Sequence, residues 1–145
     1  MKQRVSLGER VLVVEADQKA RGLVGSWLEE AGFEVIRCAG PQAPEYSCPW
    51  DRGQACVLAY TADAIVLDIW LESDTALRGN PGSEVFVYYL SLGKPVVALT
   101  DGDDATVPVL GERTIVLSRL PGREALVAAV RTLLRARRAE SSHRL

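Results

Sequence analysis

Two strand-length apolar segments, each ending in an acidic residue, place the strongest constraint on how this chain can fold. Arg10 to Glu15 reads Arg-Val-Leu-Val-Val-Glu, and Ala64 to Asp68 reads Ala-Ile-Val-Leu-Asp. Continuous apolar runs of this length, without polar alternation, are typical of parallel strands that are buried on both faces. The chain is therefore predicted to contain a parallel sheet that is covered by helices on each side.

The remaining segments complete an alternation of strands and helices. A helix is predicted to begin after Asp17, a favourable N-cap residue, and to end at Gly32, where a left-handed backbone is expected. Further strands are predicted at residues 33–38, 96–100 and 114–117, and helices at 54–61, 83–92 and from 123 onward. Five short apolar strands joined in this way predict an α/β fold, a doubly wound five-stranded parallel sheet with a flavodoxin-like strand order.

The size, charge and hydrophobicity of the chain favour one domain and argue against a nucleic-acid-binding, membrane-spanning or secreted protein. The 145 residues are 48% hydrophobic, which suits one domain over residues 1–145, and the net charge is only −2. That charge argues against a nucleic-acid or acidic-membrane ligand, although seven arginines lie between Arg119 and the last residue. No segment approaches the roughly 20 apolar residues of a membrane span, and residues 1–10 lack the apolar core of a signal peptide. A cytoplasmic location is therefore expected, and residues 139–145 are expected to form a disordered tail.

Acidic and hydroxyl side chains follow three of the predicted strands. Glu15 and Asp17 come after the first strand, Asp68 ends the third, and Thr100 ends the fourth. Because ligands of doubly wound sheets bind where the strands end, these groups are expected at one edge of the sheet. Clustered carboxylates can hold a hard divalent cation, or can raise one another's pKa values. Asp17 has an ordinary alternative role as the N-cap of the first helix.

The same segments resemble the receiver domain of response regulators. Val11 to Asp17, Val-Leu-Val-Val-Glu-Ala-Asp, is similar to the start of that domain. Ala62 to Leu71, Ala-Asp-Ala-Ile-Val-Leu-Asp-Ile-Trp-Leu, is similar to the strand that carries the phosphorylated aspartate. The similarity extends through Pro95 to Thr100 and the start of the last helix, so it covers most of the chain.

The resemblance implies a role for each of the edge residues. Asp68 matches the aspartate that accepts a phosphoryl group from a histidine kinase, and Thr100 matches the hydroxyl residue that reads the product. Glu15 matches the first acid of the magnesium-binding pair, so the resemblance implies a Mg²⁺ site drawn from Glu15, Asp17 and Asp68. Arg119 stands where the family has a lysine that contacts the phosphoryl group.

Departures from the family's pattern predict inefficient phosphorylation. Ala16 occupies the position of the second acid, which is the direct metal ligand. Arg119 is followed by Leu120 where Lys-Pro is usual, and Glu72 replaces a proline-containing turn. Phosphoryl transfer to a carboxylate depends on neutralisation by the cation, so losing a ligand should slow the reaction by orders of magnitude.

These features together predict a stand-alone, degenerate receiver-like module with no output domain attached. Such a module would signal by contacting a protein partner, and a homodimer is one form that this contact can take. The resemblance places the contact on residues 100–113, Arg119 and the last helix.

A second, partial resemblance covers the middle of the chain. Residues 62–67, the region of Asp74, and residues 82–83 and 92–96 are similar to nucleoside deoxyribosyltransferases, in which an acid on the helix before Leu-Gly-Lys-Pro attacks the sugar. Glu84 is the candidate nucleophile, but it stands one residue farther from Gly93 than the family's pattern requires. On a helix this offset turns the side chain by about 100° from the direction that the reaction needs. This alternative implies an enzyme or binding protein for a nucleoside or a phosphorylated small molecule.

The segment from Ala39 to Gly53 interrupts the alternation of strands and helices. Its three prolines and two glycines predict an irregular loop near the edge of the sheet. Cys48 in this loop and Cys56 after it could form a reversible disulfide, and with Cys38 the thiols could bind zinc or an iron–sulfur cluster. Cysteines used as small apolar residues are the commoner outcome, so the role of these three residues stays open.

Overall fold

The computed structural model describes residues 8–40, 56–68, 81–100, 113–118 and 120–143. Within these ranges the strands are β1 (Arg10–Val14), β2 (Glu34–Cys38), β3 (Ala64–Asp68), β4 (Val96–Thr100) and β5 (Thr114–Ser118). The helices are α1 (Gln18–Glu30), α2 (Val57–Thr61), α3 (Pro81–Ser91) and α4 (Arg123–His143).

The strands form a parallel sheet in the order β2-β1-β3-β4-β5. In this sheet β1 lies between its two sequence successors, with Val14 opposite Cys38 on one side and Leu67 on the other. The strand order therefore reverses between β1 and β3, which confirms the predicted flavodoxin-like order. We call the edge at which the strands end the carboxyl edge, and the opposite edge the amino edge.

The three central strands are buried on both faces, as their apolar runs predict. One face of the sheet packs against α2 and α3, around Phe86. The other face packs against α1 and α4, around Leu28 and Leu126. Helices on both faces leave the two edges of the sheet as the places where polar side chains collect.

The helix ends follow local rules that are readable in the sequence. Asp17 caps α1, because its Oδ2 accepts a hydrogen bond from the backbone N–H of Ala20 at 2.8 Å. Gly32 follows the helix with a φ of 102°, a conformation that favours glycine. The helix α3 begins at Pro81, two residues earlier than predicted, and proline is well suited to the first helical turn.

The last helix differs from its prediction in two respects. Its apolar stripe is buried as predicted, but the helix continues to His143, past residue 139 where a disordered tail is predicted to begin. The arginines near its end are predicted to face water, whereas Arg137 is partly buried and donates to the carbonyl oxygen of Asp63 at 2.7 Å. The second half of α4 thus contacts a turn that is distant in sequence.

The predicted irregular loop, residues 39–53, lies outside the described residues except for Ala39 and Gly40. Cys48 lies outside them too. None of the helices in the described part of the chain has both the length and the apolarity that a bilayer crossing requires.

Candidate functional site at the carboxyl edge

Three predicted site residues lie together where the central strands end. Glu15, Asp68 and Thr100 are almost completely buried, with relative exposures of 2%, 1% and 1%. Val14 pairs with Leu67, so the same register places Glu15 beside Asp68 at the β1–β3 switch point. The sheet therefore gathers two carboxylates and a hydroxyl at the position where this fold class binds ligands.

The register also places the hydroxyl residue. Asp68 pairs with Leu99 of β4, so Thr100, the next residue, ends at the same edge but on the side of the sheet that packs against α2 and α3. Along β1 and β3, Val13 and Val66 face the cluster that contains α1 and α4, so strand periodicity assigns Glu15 and Asp68 to that same side of the sheet. Two adjacent carboxylates on one side form the acidic core of the candidate site.

The turn from β1 to α1 is fixed by its own hydrogen bonds. The Glu15 carboxylate accepts from the backbone N–H of Asp17 at 3.0 Å, while the Asp17 carboxylate caps α1. Arg21 reaches back from the helix, and its Nη1 donates to the carbonyl oxygen of Glu15 at 2.9 Å. Sequence reasoning missed Arg21, although an arginine in the first turn of a helix, six residues beyond a strand-end acid, is a readable signal.

These contacts decide how well the site suits Mg²⁺. In the described residues, no group of three or more His, Cys, Asp or Glu side chains is placed to hold a metal ion. Asp17 is exposed and its carboxylate serves the helix N-terminus, for which the local N–H donors are the physical reason. Ala16, between the two acids, offers no ligand. Glu15 and Asp68 alone are a poorer donor set for magnesium than the resemblance implies.

Other predicted site residues lie outside the described ranges. Arg119, which takes the place of the family's lysine, is one of them, and so are Glu72 and residues 101–112. The candidate nucleophile of the alternative interpretation, Glu84, belongs to α3, and no contact in the described residues favours a transferase.

Two of the three cysteines, Cys38 and Cys56, lie within the described residues. Cys56 is buried in the core between the sheet and α3, and Cys38 packs against that core from the end of β2. The backbone N–H of Cys56 donates to the hydroxyl oxygen of Tyr88 at 3.0 Å, which ties the start of α2 to α3. Their positions are those of small apolar residues; the proposed pairing of Cys48 with Cys56 lies outside the described residues.

Comparison with known proteins identifies the fold. No family model and no curated relative matches the sequence. Among solved structures, a response regulator receiver domain protein from Methanospirillum hungatei JF-1 superposes with a TM-score of 0.69 at 17% identity, over 92% of this chain and 98% of that one.

Other receiver domains give similar values. A response regulator receiver protein from Sinorhizobium medicae WSM419 has a TM-score of 0.64 at 20% identity, over 90% of this chain and 98% of that one. The N-terminal domain of a response regulator/sensory box/GGDEF 3-domain protein from Carboxydothermus hydrogenoformans has a TM-score of 0.62 at 20% identity, over 92% and 99%. The chain thus has the flavodoxin-like fold of response-regulator receiver domains, as its sequence motifs predict.

Proposed function

We propose that this protein is a degenerate receiver-type signalling module of the cytoplasm, in which Asp68 is not efficiently phosphorylated. The proposal rests on the contacts that the acidic residues after β1 make. Ala16 replaces the direct ligand, Asp17 caps α1, and the Glu15 carboxylate accepts from a backbone N–H of its own turn. The Mg²⁺ ion that would neutralise a phosphoryl anion therefore lacks its usual direct carboxylate ligand.

Phosphorylation of Asp68 would depend on this missing metal ligand, because of the charges that surround Asp68. Asp68 is buried beside a second carboxylate, and attack on a phosphoryl donor would bring further negative charge to the same place. A bound Mg²⁺ would supply the positive charge that makes such a transfer feasible. Glu15 and Asp68 would be its ligands, whereas Asp17 would first have to give up its helix cap.

A module without efficient phosphorylation acts through its surface, and we place the contact near β5 and α4. The strand β5 is the last in the sheet order, and Val116 on it is 43% exposed. Leu120, two residues after the strand, is 42% exposed. Such exposed apolar side chains at a strand edge suit a protein partner or a second copy of the chain.

The first test is direct phosphorylation. With magnesium and acetyl phosphate, the protein should show no stoichiometric phosphoryl adduct by intact-mass spectrometry, because the cation lacks its direct ligand. Beryllofluoride, which mimics the phosphoryl group, should likewise leave the fluorescence of the protein unchanged. A stoichiometric adduct that disappears in Asp68→Asn would contradict the proposal and show an active receiver.

The second test restores the missing acid. Ala16→Asp should tighten Mg²⁺ binding by about 10- to 100-fold or more, since even indirect partners of a metal are worth about that much. Isothermal titration with MgCl₂ measures the change. The matched control is Ala128→Asp, which adds the same charge at an exposed position on α4. Equal effects of the two variants, or no effect of Ala16→Asp, would show that position 16 does not limit the cation site.

A further inference from the structure

An open groove of about 570 Å³ lies between the end of α1 and the second half of α4. Phe33, which follows α1 and is partly exposed, supplies its apolar surface above the buried Leu134 of α4. Three arginines of α4 line the groove: Arg131, Arg135 and Arg138. Their spacing of four and three residues places them along one side of the helix. The groove reaches Glu9, just before β1, so it lies at the amino edge, away from the acidic site.

Two of these guanidinium groups are held in place by the protein. Arg131 donates to the carbonyl oxygen of Ala31 at 3.1 Å and lies over the Phe33 ring, 5.9 Å from its centroid. Arg138 forms an ion pair with Glu9. Arg135, between them, is exposed and makes no hydrogen bond or ion pair with any other residue of the described ranges. The Arg135 guanidinium is therefore available to bind a ligand, and it lies between two arginines that are held by protein contacts.

The surroundings of the groove select the kind of anion that fits. The adjoining groove along α1 and α4 is lined by Glu30, which pairs with Arg123 at 3.2 Å, and by Glu124, which has no ion pair within the described residues. A long polyphosphate such as a nucleic acid would extend past the three arginines and bring its charges against the Glu124 carboxylate. A short acidic segment avoids this carboxylate, and an aliphatic side chain on it can cover the partly exposed Phe33.

We propose that this groove binds an acidic segment of a partner protein, with Arg135 as the anchoring cation. A carboxylate of the segment accepts two hydrogen bonds from the Arg135 guanidinium, a geometry that arginine favours. The neighbouring Arg131 adds positive charge without having to be ordered on binding. This interaction surface is separate from the Asp68 edge, so it stands whether or not Asp68 is phosphorylated.

Fluorescence anisotropy with a short labelled peptide of mixed Asp, Glu and Leu tests the proposal. Arg135→Gln should weaken binding of this peptide by about tenfold or more, the value of one charge-assisted hydrogen bond. Added salt should weaken binding to the wild-type protein. The charge reversal Arg135→Glu should weaken binding of the acidic peptide further than Arg135→Gln, because it adds a repulsive charge at the anchoring position.

The matched control is Arg113→Gln, which removes the same charge from the opposite side of α4, where Arg113 pairs with Glu140 at 3.2 Å. This variant should bind the acidic peptide as the wild type does. The proposal is overturned if the wild type does not bind the peptide, or if the two glutamine variants lose affinity equally. It is also overturned if a single-stranded oligonucleotide displaces the peptide and binds more tightly, because the groove would then be a nucleic-acid surface.

Discussion

Replacing Phe86 with alanine should lower the free energy of unfolding by about 3–5 kcal/mol, the largest effect expected from a single substitution in this protein. The Phe86 side chain has no exposed surface and lies at the centre of the core that joins α2 and α3 to the sheet. Its removal costs the transfer free energy of the ring and leaves a cavity that the buried strands cannot close. Urea denaturation measures the change, with the slope of the transition expected to stay constant.

The next residue on the helix provides the control. Val87 is 53% exposed, so Val87→Ala should change the free energy of unfolding by no more than about 0.5 kcal/mol. A more conservative variant, Phe86→Leu, should recover most of the loss because it refills the cavity. Equal destabilisation by Phe86→Ala and Val87→Ala would show that α3 does not pack on the sheet as described.

Replacing Lys94 with methionine should destabilise the fold by about 1–3 kcal/mol, although methionine suits an apolar environment. The Lys94 ammonium group is buried at the amino edge, where it donates to the carbonyl oxygens of Tyr60 and Ala62, each at 2.8 Å. The substitution leaves both carbonyls without this donor and loosens the turn between α2 and β3. Lys19→Met, at an exposed position of α1, is the control and should be nearly neutral.

The stabilising effect of Lys94 should depend on pH. Burial lowers the pKa of Lys94 from its ordinary value of 10.5, and the charge of Arg137 lowers it further, while Asp63 acts in the opposite direction. Between the lowered pKa and 10.5 the unfolded chain binds more protons than the folded one, so the contribution of Lys94 to stability rises with pH in that window. The neutral amine keeps enough N–H groups for both carbonyls. Urea titrations of the wild type and Lys94→Met should therefore diverge as the pH rises towards 10.5; convergence would contradict the prediction.

The order of elements was readable from local patterns alone. Unbroken apolar runs at β1, β3 and β4 predict strands that are buried on both faces, and the observed burial agrees. Asp17 and Gly32 predict the ends of α1 for reasons that involve only neighbouring residues. The adjacency of Glu15 and Asp68 then follows from the strand order, because parallel strands end at one edge.

The sheet, its two buried faces and the acidic residues at its carboxyl edge were predictable from the amino-acid sequence, because they depend on periodicity and on neighbours in the chain. The long-range partners of polar side chains depend on the tertiary structure. Lys94 donates to the carbonyl oxygen of Ala62, 32 positions earlier, and Arg137 donates to that of Asp63, 74 positions earlier. The groove around Arg135 likewise exists only where α4 crosses the end of α1. Each of these side chains binds the polar group that lies nearest to it in the folded chain, and the spacing of residues along the sequence does not show which group that is.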